Sequence, residues 1–252
     1  MNKEVNGEPQ SNKAIKGFVR KILPFSSVDG PGNRTIIFLQ GCSFRCGYCH
    51  NPETIALGSA ITTGEVQLRT PEEIVQEVMK FKNFISGVTL SGGECTLQPE
   101  FLLALVQALK KEAFHILIDT NGDFDQAYYE RLRPWVDGFM LDVKSVDPSA
   151  HKTLTGEDNK KVLENLHRMA NDQTLYEVRT VIVPDWPDNE ATVERVSQVL
   201  ASKSPGTRYK LIRFRPHGIV GLYREIPMPT EPEMEKLKSL ALNTGLSQVI
   251  LV

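Results

Sequence analysis

Residues 87–122 read "GVTLSGGECTLQPEFLLALVQALKKEAFHILIDTNG" and decide the fold. The stretch opens with a short apolar run that ends in glycines and continues as a helix-like segment over 99–112. It closes with a second apolar run over 114–122 that ends in a polar turn. A helix between two apolar strands is typical of a βαβ unit, whose strands are parallel. The stretch therefore predicts an α/β protein built on a parallel sheet.

The same alternation continues on both sides of this unit. Further strands are predicted over residues 34–40, 138–144, 176–184, 209–218 and 248–252. Further helices are predicted over 70–81, about 160–170, 189–202 and 230–245. The first of these helices carries its own start signal, since Thr70 is a good N-cap, Pro71 suits the first helical position and Glu73 closes a capping box. Roughly six strand–helix units are too few for a closed eight-fold barrel. They predict a partial, open (β/α)6 TIM-like barrel with parallel strands.

The length and composition suit one globular unit. The chain has 252 residues, of which 40% are apolar and 24% charged, and this is enough to bury a core. The first residues are polar and rich in turn formers, so a disordered tail is expected over 1–14 and one domain over 15–252.

The charge balance and the N-terminus restrict partners and location. A formal net charge of −2 argues against nucleic acid or an anionic membrane as the partner. No apolar stretch approaches the roughly 20 residues that span a bilayer, and "MNKEVNGEPQSNKAIKG" has no apolar signal-peptide core. A cytoplasmic location is expected, where reducing conditions favour cysteines as metal ligands or catalysts over disulfides.

Function in parallel α/β folds gathers at the carboxyl ends of the strands. Several predicted strands here end in polar residues or glycine. These ends are Gln40-Gly41, Ser91-Gly92-Gly93-Glu94, Asp119-Thr120-Asn121-Gly122, Asp142 with Lys144, and His217-Gly218. Any surface loop can produce one such end, but their joint occurrence on one edge of the sheet predicts a site there.

Three of the four cysteines lie in "GCSFRCGYCHNP", residues 41–52, directly after the first predicted strand. Their spacing is C-x3-C-x2-C, formed by Cys42, Cys46 and Cys49, which suits zinc or an iron–sulfur cluster. A structural zinc site needs four ligands, and His50 is placed awkwardly because it directly follows Cys49. A [4Fe–4S] cluster held by three cysteines leaves one iron open, and an open coordination position is what a catalytic metal centre needs.

At this point the sequence resembles the radical S-adenosylmethionine (SAM) enzymes, and more narrowly their glycyl-radical-enzyme activases. The resemblance rests on the C-x3-C-x2-C spacing with Tyr48 before the last cysteine, and on segments that occur in the same order over about residues 18–218. These segments are "FSSVDGPGNRTIIFLQGCSFRCGYCHNPET", "SGGECTLQ", "DTNG", "MLDVK", "RTVIVPDW" and "RPHG".

The resemblance implies a chemistry and two cofactors. In that family the open iron of the cluster is chelated by SAM. One-electron reduction then cleaves SAM to methionine and a 5′-deoxyadenosyl radical, which removes a hydrogen atom from a glycine of a partner enzyme. The cofactors carry the chemistry and the protein positions them.

The resemblance also implies roles for individual residues. Cys42, Cys46 and Cys49 would hold the cluster that cleaves SAM, and Gly92, Gly93 and Glu94 would meet the SAM amino group. The remaining SAM contacts would come from Tyr48, Cys49, His50, Asp142, Val143, Lys144, Arg179 and His217. A monovalent cation would be coordinated by Asp119, Thr120, Met140 and Asp142. The turn Asp29-Gly30-Pro31-Gly32 would lie near the entry of the partner's glycine loop.

One departure from many relatives bears on the electron supply. Those relatives insert a cysteine-containing, ferredoxin-like stretch after the first motif, whereas residues 52–70 here contain no cysteine. A single cluster is therefore expected, with electrons supplied directly by flavodoxin or ferredoxin. We expect a monomer whose protein substrate is a glycyl radical enzyme, and Cys95 is expected to be a small core residue.

Two alternatives remain open at this point. The first is a radical SAM enzyme that acts on a small molecule or a nucleotide. The second is a zinc- or cluster-binding module without catalysis, in which the polar strand ends would have no role.

Overall fold

The computed structural model describes residues 15–57, 65–186, 188–219 and 221–252. The tail predicted over residues 1–14 lies outside the described residues. The strands are β1 Gly17–Ser26, β2 Arg34–Leu39, β3 Gln67–Arg69, β4 Gly87–Gly92, β5 Ile116–Thr120, β6 Gly138–Asp142, β7 Leu175–Ile182, β8 Arg208–Arg213 and β9 Val249–Leu251. The α-helices are α1 Pro71–Met79, α2 Pro99–Lys111, α3 Gln126–Leu132, α4 Pro148–Thr155, α5 Lys160–Asn171, α6 Asn189–Lys203 and α7 Glu231–Asn243.

The described strands form one sheet in the order β3-β1-β2-β4-β5-β6-β7-β8-β9. Every pairing from β2 to β9 is parallel, whereas β1 pairs antiparallel with both β2 and β3. The order begins at β3 and ends at β9, so the sheet is open. The predicted partial barrel with parallel strands is therefore confirmed, with an additional antiparallel extension at its N-terminal edge.

Local sequence signals explain where the helices begin. The hydroxyl of Thr70 accepts a hydrogen bond from the backbone N–H of Glu73, and the Glu73 carboxylate accepts one from the Thr70 N–H. The predicted capping box of α1 is thus confirmed, and Thr230 with Glu233 forms a second one at α7. Pro71 stands at the first turn of α1, where its missing N–H costs nothing.

The two faces of the sheet have different environments because successive side chains of a strand point to opposite sides. Ile118, Leu141 and Val178 belong to the hydrophobic core that also contains side chains of the helices. Asp119, Asp142 and Arg179 point to the other face, which lines the inside of the partial barrel. This alternation places charged side chains at the carboxyl ends of adjacent strands.

Most predicted strands are shorter in the structure, and at two of them the difference moves predicted site residues into loops. The strand predicted over 138–144 ends at Asp142, so Val143 and Lys144 follow the strand. The strand predicted over 209–218 ends at Arg213, and His217 lies in the loop beyond it. Pro216 has no N–H for a ladder hydrogen bond, so the strand could not have continued to His217 as predicted. No described helix is long and apolar enough to span a membrane.

Candidate functional site

A cavity of about 290 Å³ lies at the carboxyl ends of the central strands. One wall is the cysteine loop, residues 41–52, which follows β2. The other walls come from the ends of β4, β5 and β6 and from side chains of β7 and β8. Its lining residues are Cys42, Phe44, Cys46, Tyr48, Cys49, His50, Asn51, Ser91, Gly92, Gly93, Glu94, Asp119, Thr120, Asn121, Asp142, Lys144, Val181, Ile212 and Arg213.

All three cysteines of the loop line this cavity. Cys42, Cys46 and Cys49 are half-buried and none forms a disulfide, whereas Cys95 is fully buried in the hydrophobic core. Burial raises the pKa of the Cys42 thiol to about 12, with a smaller contribution from Glu94. In the described ranges, no three His, Cys, Asp or Glu side chains converge as they would around one metal ion.

Helix α4 supports the cysteine loop from behind. The backbone N–H of Arg45 donates to the carbonyl of Thr155 at 2.7 Å, and that of Gly47 donates to the carbonyl of Leu154 at 3.0 Å. The carboxyl end of a helix has free carbonyl groups, and here the loop supplies their donors. The conformation of the thiol-bearing loop is thus fixed by a helix more than 100 residues further along the chain.

The glycines after β4 have a structural reason that is independent of any ligand. Gly92 has a φ of +138°, and a side chain there would overlap the carbonyl oxygen of Leu39. A side chain at Gly93 would overlap the carbonyl oxygen of Gly41 and press on the Cβ of Cys42. Glycine is needed at both positions because the ends of the neighbouring strands β2 and β4 lie in close contact. The exposed backbone of both residues lines the cavity.

The carboxylate of Glu94 is occupied by donors of the chain itself. Oε1 accepts hydrogen bonds from the N–H of Thr96 at 3.0 Å, from its hydroxyl at 2.6 Å and from the hydroxyl of Thr120 at 2.8 Å. Oε2 accepts one from the N–H of Asn121 at 2.6 Å. Burial raises the pKa of Glu94, and these hydrogen bonds act against that rise. Glu94, which was expected to meet the SAM amino group, therefore links the end of β4 to the end of β5 through its carboxylate.

Four charged side chains form a chain across the ends of β5, β6 and β7. The guanidinium of Arg179 donates to Asp119 and, through Nε at 2.7 Å, to Asp142. Lys144 Nζ donates to the other oxygen of Asp142 at 3.2 Å. Ser91 donates to Asp119 at 2.8 Å. Burial lowers the pKa of Arg179 to about 10, so the guanidinium keeps its charge at neutral pH between the two carboxylates.

Tyr48 packs beside the thiols with its hydroxyl buried. Its Oη has no hydrogen-bond partner within the described part of the chain. Burial raises the pKa of Tyr48, so the phenol stays neutral. The Lys144 ammonium lies 5.6 Å from the centre of the Tyr48 ring. Burial lowers the pKa of Lys144, but electrostatic interactions with Tyr48, Asp142 and Cys46 more than offset burial and hold it well above its ordinary value.

Several residues predicted for the site lie elsewhere. Met140 is buried within β6, and Val143 belongs to the hydrophobic core. His217 is exposed in the loop after β8 and does not line the cavity. The same loop touches the site through His50, whose Nε2 lies 3.1 Å from the carbonyl oxygen of Arg215.

Ser91 and Asn121 belong to the strand ends that predicted the site, and both line the cavity, although the sequence suggested no separate role for either. The sequence reasoning missed Ile212 and Arg213, because they line the cavity only through the way in which β8 joins the sheet.

The fold and cavity define an α/β partial barrel in which three clustered thiols face the carboxyl ends of parallel strands. A model of the Radical SAM superfamily matches residues 36–196. The pyruvate formate-lyase-activating enzyme of Streptococcus mutans is 33% identical over 224 residues, which cover 85% of this chain and 83% of the relative. The pyruvate formate-lyase 1-activating enzyme of Escherichia coli K12 is 32% identical over 232 residues, covering 89% of this chain and 90% of the relative.

A solved structure supports the same fold. Streptococcus suis SuiB bound to its precursor peptide SuiA superposes with a TM-score of 0.67 at 13% identity, covering 86% of this chain and 48% of that one. The chain therefore belongs to the radical SAM superfamily and, within it, to the family of glycyl-radical-enzyme activases that includes the pyruvate formate-lyase-activating enzymes. Membership implies a [4Fe–4S] cluster and SAM as cofactors.

The buried position of Glu94 generates a prediction. In Glu94→Gln the amide nitrogen must replace one acceptor oxygen and face a donor, so at least one buried hydrogen bond is lost. We expect the free energy of unfolding to fall by about 2 kcal/mol, measured by urea unfolding of the reconstituted protein with circular dichroism. Glu164→Gln on the exposed face of α5 is the control and should change it by less than about 0.5 kcal/mol. Unchanged stability together with lost SAM binding would instead assign the Glu94 carboxylate to SAM.

Proposed function

We propose that this protein uses a [4Fe–4S] cluster and SAM in the cavity to generate a glycyl radical on a partner enzyme. The observation that carries the proposal is the meeting of three elements in one cavity. The three thiols of the cysteine loop, the Asp142–Lys144 ion pair and the backbone of Gly92 and Gly93 face the same space.

The described residues fit these cofactors. Three thiols line the cavity whereas Cys95 does not, and this suits a cluster that keeps one iron free of protein ligands. SAM carries an ammonium and a carboxylate on its methionine part, and Asp142 and Lys144 offer the opposite charges. The buried hydroxyl of Tyr48, which has no described partner, provides a donor that a polar ligand can satisfy.

Each residue has a definite task in this proposal. Cys42, Cys46 and Cys49 hold the cluster, and Lys144 pairs with the SAM carboxylate. The backbone carbonyls at Gly92 and Gly93 accept from the SAM amino group, because the Glu94 carboxylate already accepts four hydrogen bonds from the chain. When bound, and once an external donor has supplied one electron, the cluster and SAM would provide methionine and a 5′-deoxyadenosyl radical, which would remove a hydrogen atom from a glycine of the partner. Tyr48 and Phe44 exclude water from the thiol side of the cavity.

The described residues do not fit the expected monovalent cation as they stand. Arg179 donates to both Asp119 and Asp142, and the Thr120 hydroxyl donates to Glu94. Two carboxylates that share a guanidinium already have their charge balanced. Arg179 therefore provides the positive charge at this position in the proposal.

The protein substrate, the electron donor and the location follow from the same proposal. The relatives are named for pyruvate formate-lyase, which makes that enzyme the first candidate for the protein substrate. Flavodoxin or ferredoxin would supply the electron, because the cysteine loop offers ligands for one cluster. We propose that the protein is a cytoplasmic monomer.

Removing single cysteines tests the ligand assignment. Replacing Cys42, Cys46 or Cys49 by Ala should abolish the cluster, because the loop contains only three thiols and the cluster needs all of them as ligands. Cys95→Ala should keep iron, sulfide and SAM cleavage at the parent level. Iron and sulfide analysis after anaerobic reconstitution measures this, with deoxyadenosine release as the second readout. Loss of iron in Cys95→Ala would overturn the assignment.

The function itself is tested by electron paramagnetic resonance (EPR). The reconstituted protein is mixed anaerobically with SAM, a reductant and pyruvate formate-lyase or another candidate glycyl radical enzyme. A glycine-centred doublet is expected with the cognate partner and should be absent with the Cys46→Ala variant. SAM cleavage that a nucleotide or other small molecule stimulates, while no candidate protein gives a doublet, would favour the alternative radical SAM enzyme.

A further inference from the structure

The side chain of Asn121 approaches one of the three thiols. Asn121 directly follows β5 and is buried, with 7% of its surface exposed. Its amide nitrogen Nδ2 lies 3.9 Å from Cys42 Sγ, which is within hydrogen-bonding reach of a large sulfur acceptor. This contact joins the second half of "DTNG" to the first cysteine of the loop.

The orientation of the amide is fixed by a second hydrogen bond. The backbone N–H of Asp123 donates to Asn121 Oδ1 at 2.9 Å, which forms a local turn of the Asx type. Because an N–H can donate only to the oxygen, this bond identifies which end of the amide is which. The nitrogen must then be the end that faces Cys42.

The backbone of Asn121 is held separately from its side chain. Its N–H donates to Glu94 Oε2 at 2.6 Å, and Glu94 in turn donates its own N–H to the carbonyl of Gly41, next to Cys42. Any residue could make that backbone bond, and Asp or Ser could accept the bond from Asp123. Among the described contacts of Asn121, only the one to Cys42 requires a side-chain N–H.

The amide differs from the other donors beside the thiols. The backbone N–H groups of Phe44 and Asn51 lower the pKa of Cys42 and Cys49, and substitutions other than proline leave these groups in place. The Asn121 donor belongs to a side chain, so a substitution can remove it. Hydrogen bonds to cluster sulfurs are one of the levers by which a protein sets the reduction potential.

We propose that Asn121 is a positioning residue that donates a hydrogen bond to the Cys42 thiolate and thereby makes the cluster easier to reduce. The proposal rests on the assignment of Cys42 as a cluster ligand. A reduced cluster carries one more negative charge, and a donor to its ligand sulfur stabilises that charge more than it stabilises the oxidised form. The amide therefore favours acceptance of the electron that starts SAM cleavage.

Asn121→Ser tests this, because serine can still accept from Asp123 but no longer reaches the sulfur. The measurement is a redox titration of the reconstituted protein followed by EPR. We expect the equilibrium constant for reduction to fall by about tenfold, which corresponds to about 59 mV for one electron. Asn121→Asp, which places a carboxylate oxygen toward the thiolate, should shift it further in the same direction.

Asn165→Ser is the matched control. Asn165 Nδ2 donates to the carbonyls of Gly122 and Phe124 at 2.8 Å each, so this substitution disturbs the same loop without touching a thiol. Its reduction equilibrium should stay within about twofold of the parent. An unshifted Asn121→Ser, or a control that shifts as much, would overturn the proposal.

A measurement on the parent covers the case in which Asn121→Ser does not load a cluster. Protein labelled with 15N in the asparagine side-chain amide should show a nitrogen coupling to the reduced cluster, and the coupling should persist in Asn51→Ser. Its absence from a loaded parent would end the proposal and leave the proposed function intact. Failure of the parent itself to load a cluster would instead overturn the proposed function.

Discussion

The buried carboxylate of Glu94 is the interaction on which the candidate site depends. Burying an ionised carboxylate is costly unless donors surround it. Here Thr96, Thr120 and Asn121 supply the donors, and the Glu94 backbone binds Gly41 at the start of the cysteine loop. One residue therefore fixes the ends of β2, β4 and β5 relative to each other. The back wall of the cavity is rigid because these bonds are made within the chain.

Charge inside the partial barrel follows from the same geometry. Side chains alternate along β7, so Val178 packs in the core beneath the helices and Arg179 faces the inside of the partial barrel. There the Arg179 guanidinium binds the carboxylates of Asp119 on β5 and Asp142 on β6. Arg179 and Lys144 divide the oxygens of Asp142 between them, so this carboxylate is fixed in orientation. Such a preorganised group can bind the charged end of an amino acid without rearranging.

Much of the fold could be predicted from the sequence because its signals are local. Apolar runs and the capping box at Thr70 placed the parallel strands and long helices within a few residues. The strand β1 was missed because its apolar residues are interrupted by charges and by Pro24, and α4 because eight residues give too few turns for a clear period.

The candidate site was predictable only where one segment carries the chemistry. The thiol spacing identified the loop, but no local pattern shows that α4 supports it or that the Glu94 carboxylate is bonded to Thr96, Thr120 and Asn121. Those facts depend on which strand ends are neighbours. The expectation for His217 treated "RPHG" as a strand end, whereas β8 ends at Arg213 and His217 lies exposed in the following loop.

The central claim is that three thiols of one loop hold a cluster with one iron left for SAM. Mössbauer spectroscopy of protein reconstituted with 57Fe, recorded with and without SAM, addresses it most directly. The account predicts that SAM changes the parameters of one iron in four and leaves the other three as they were. Four equivalent irons that do not respond to SAM, or a protein that takes up zinc without iron and sulfide, would contradict it.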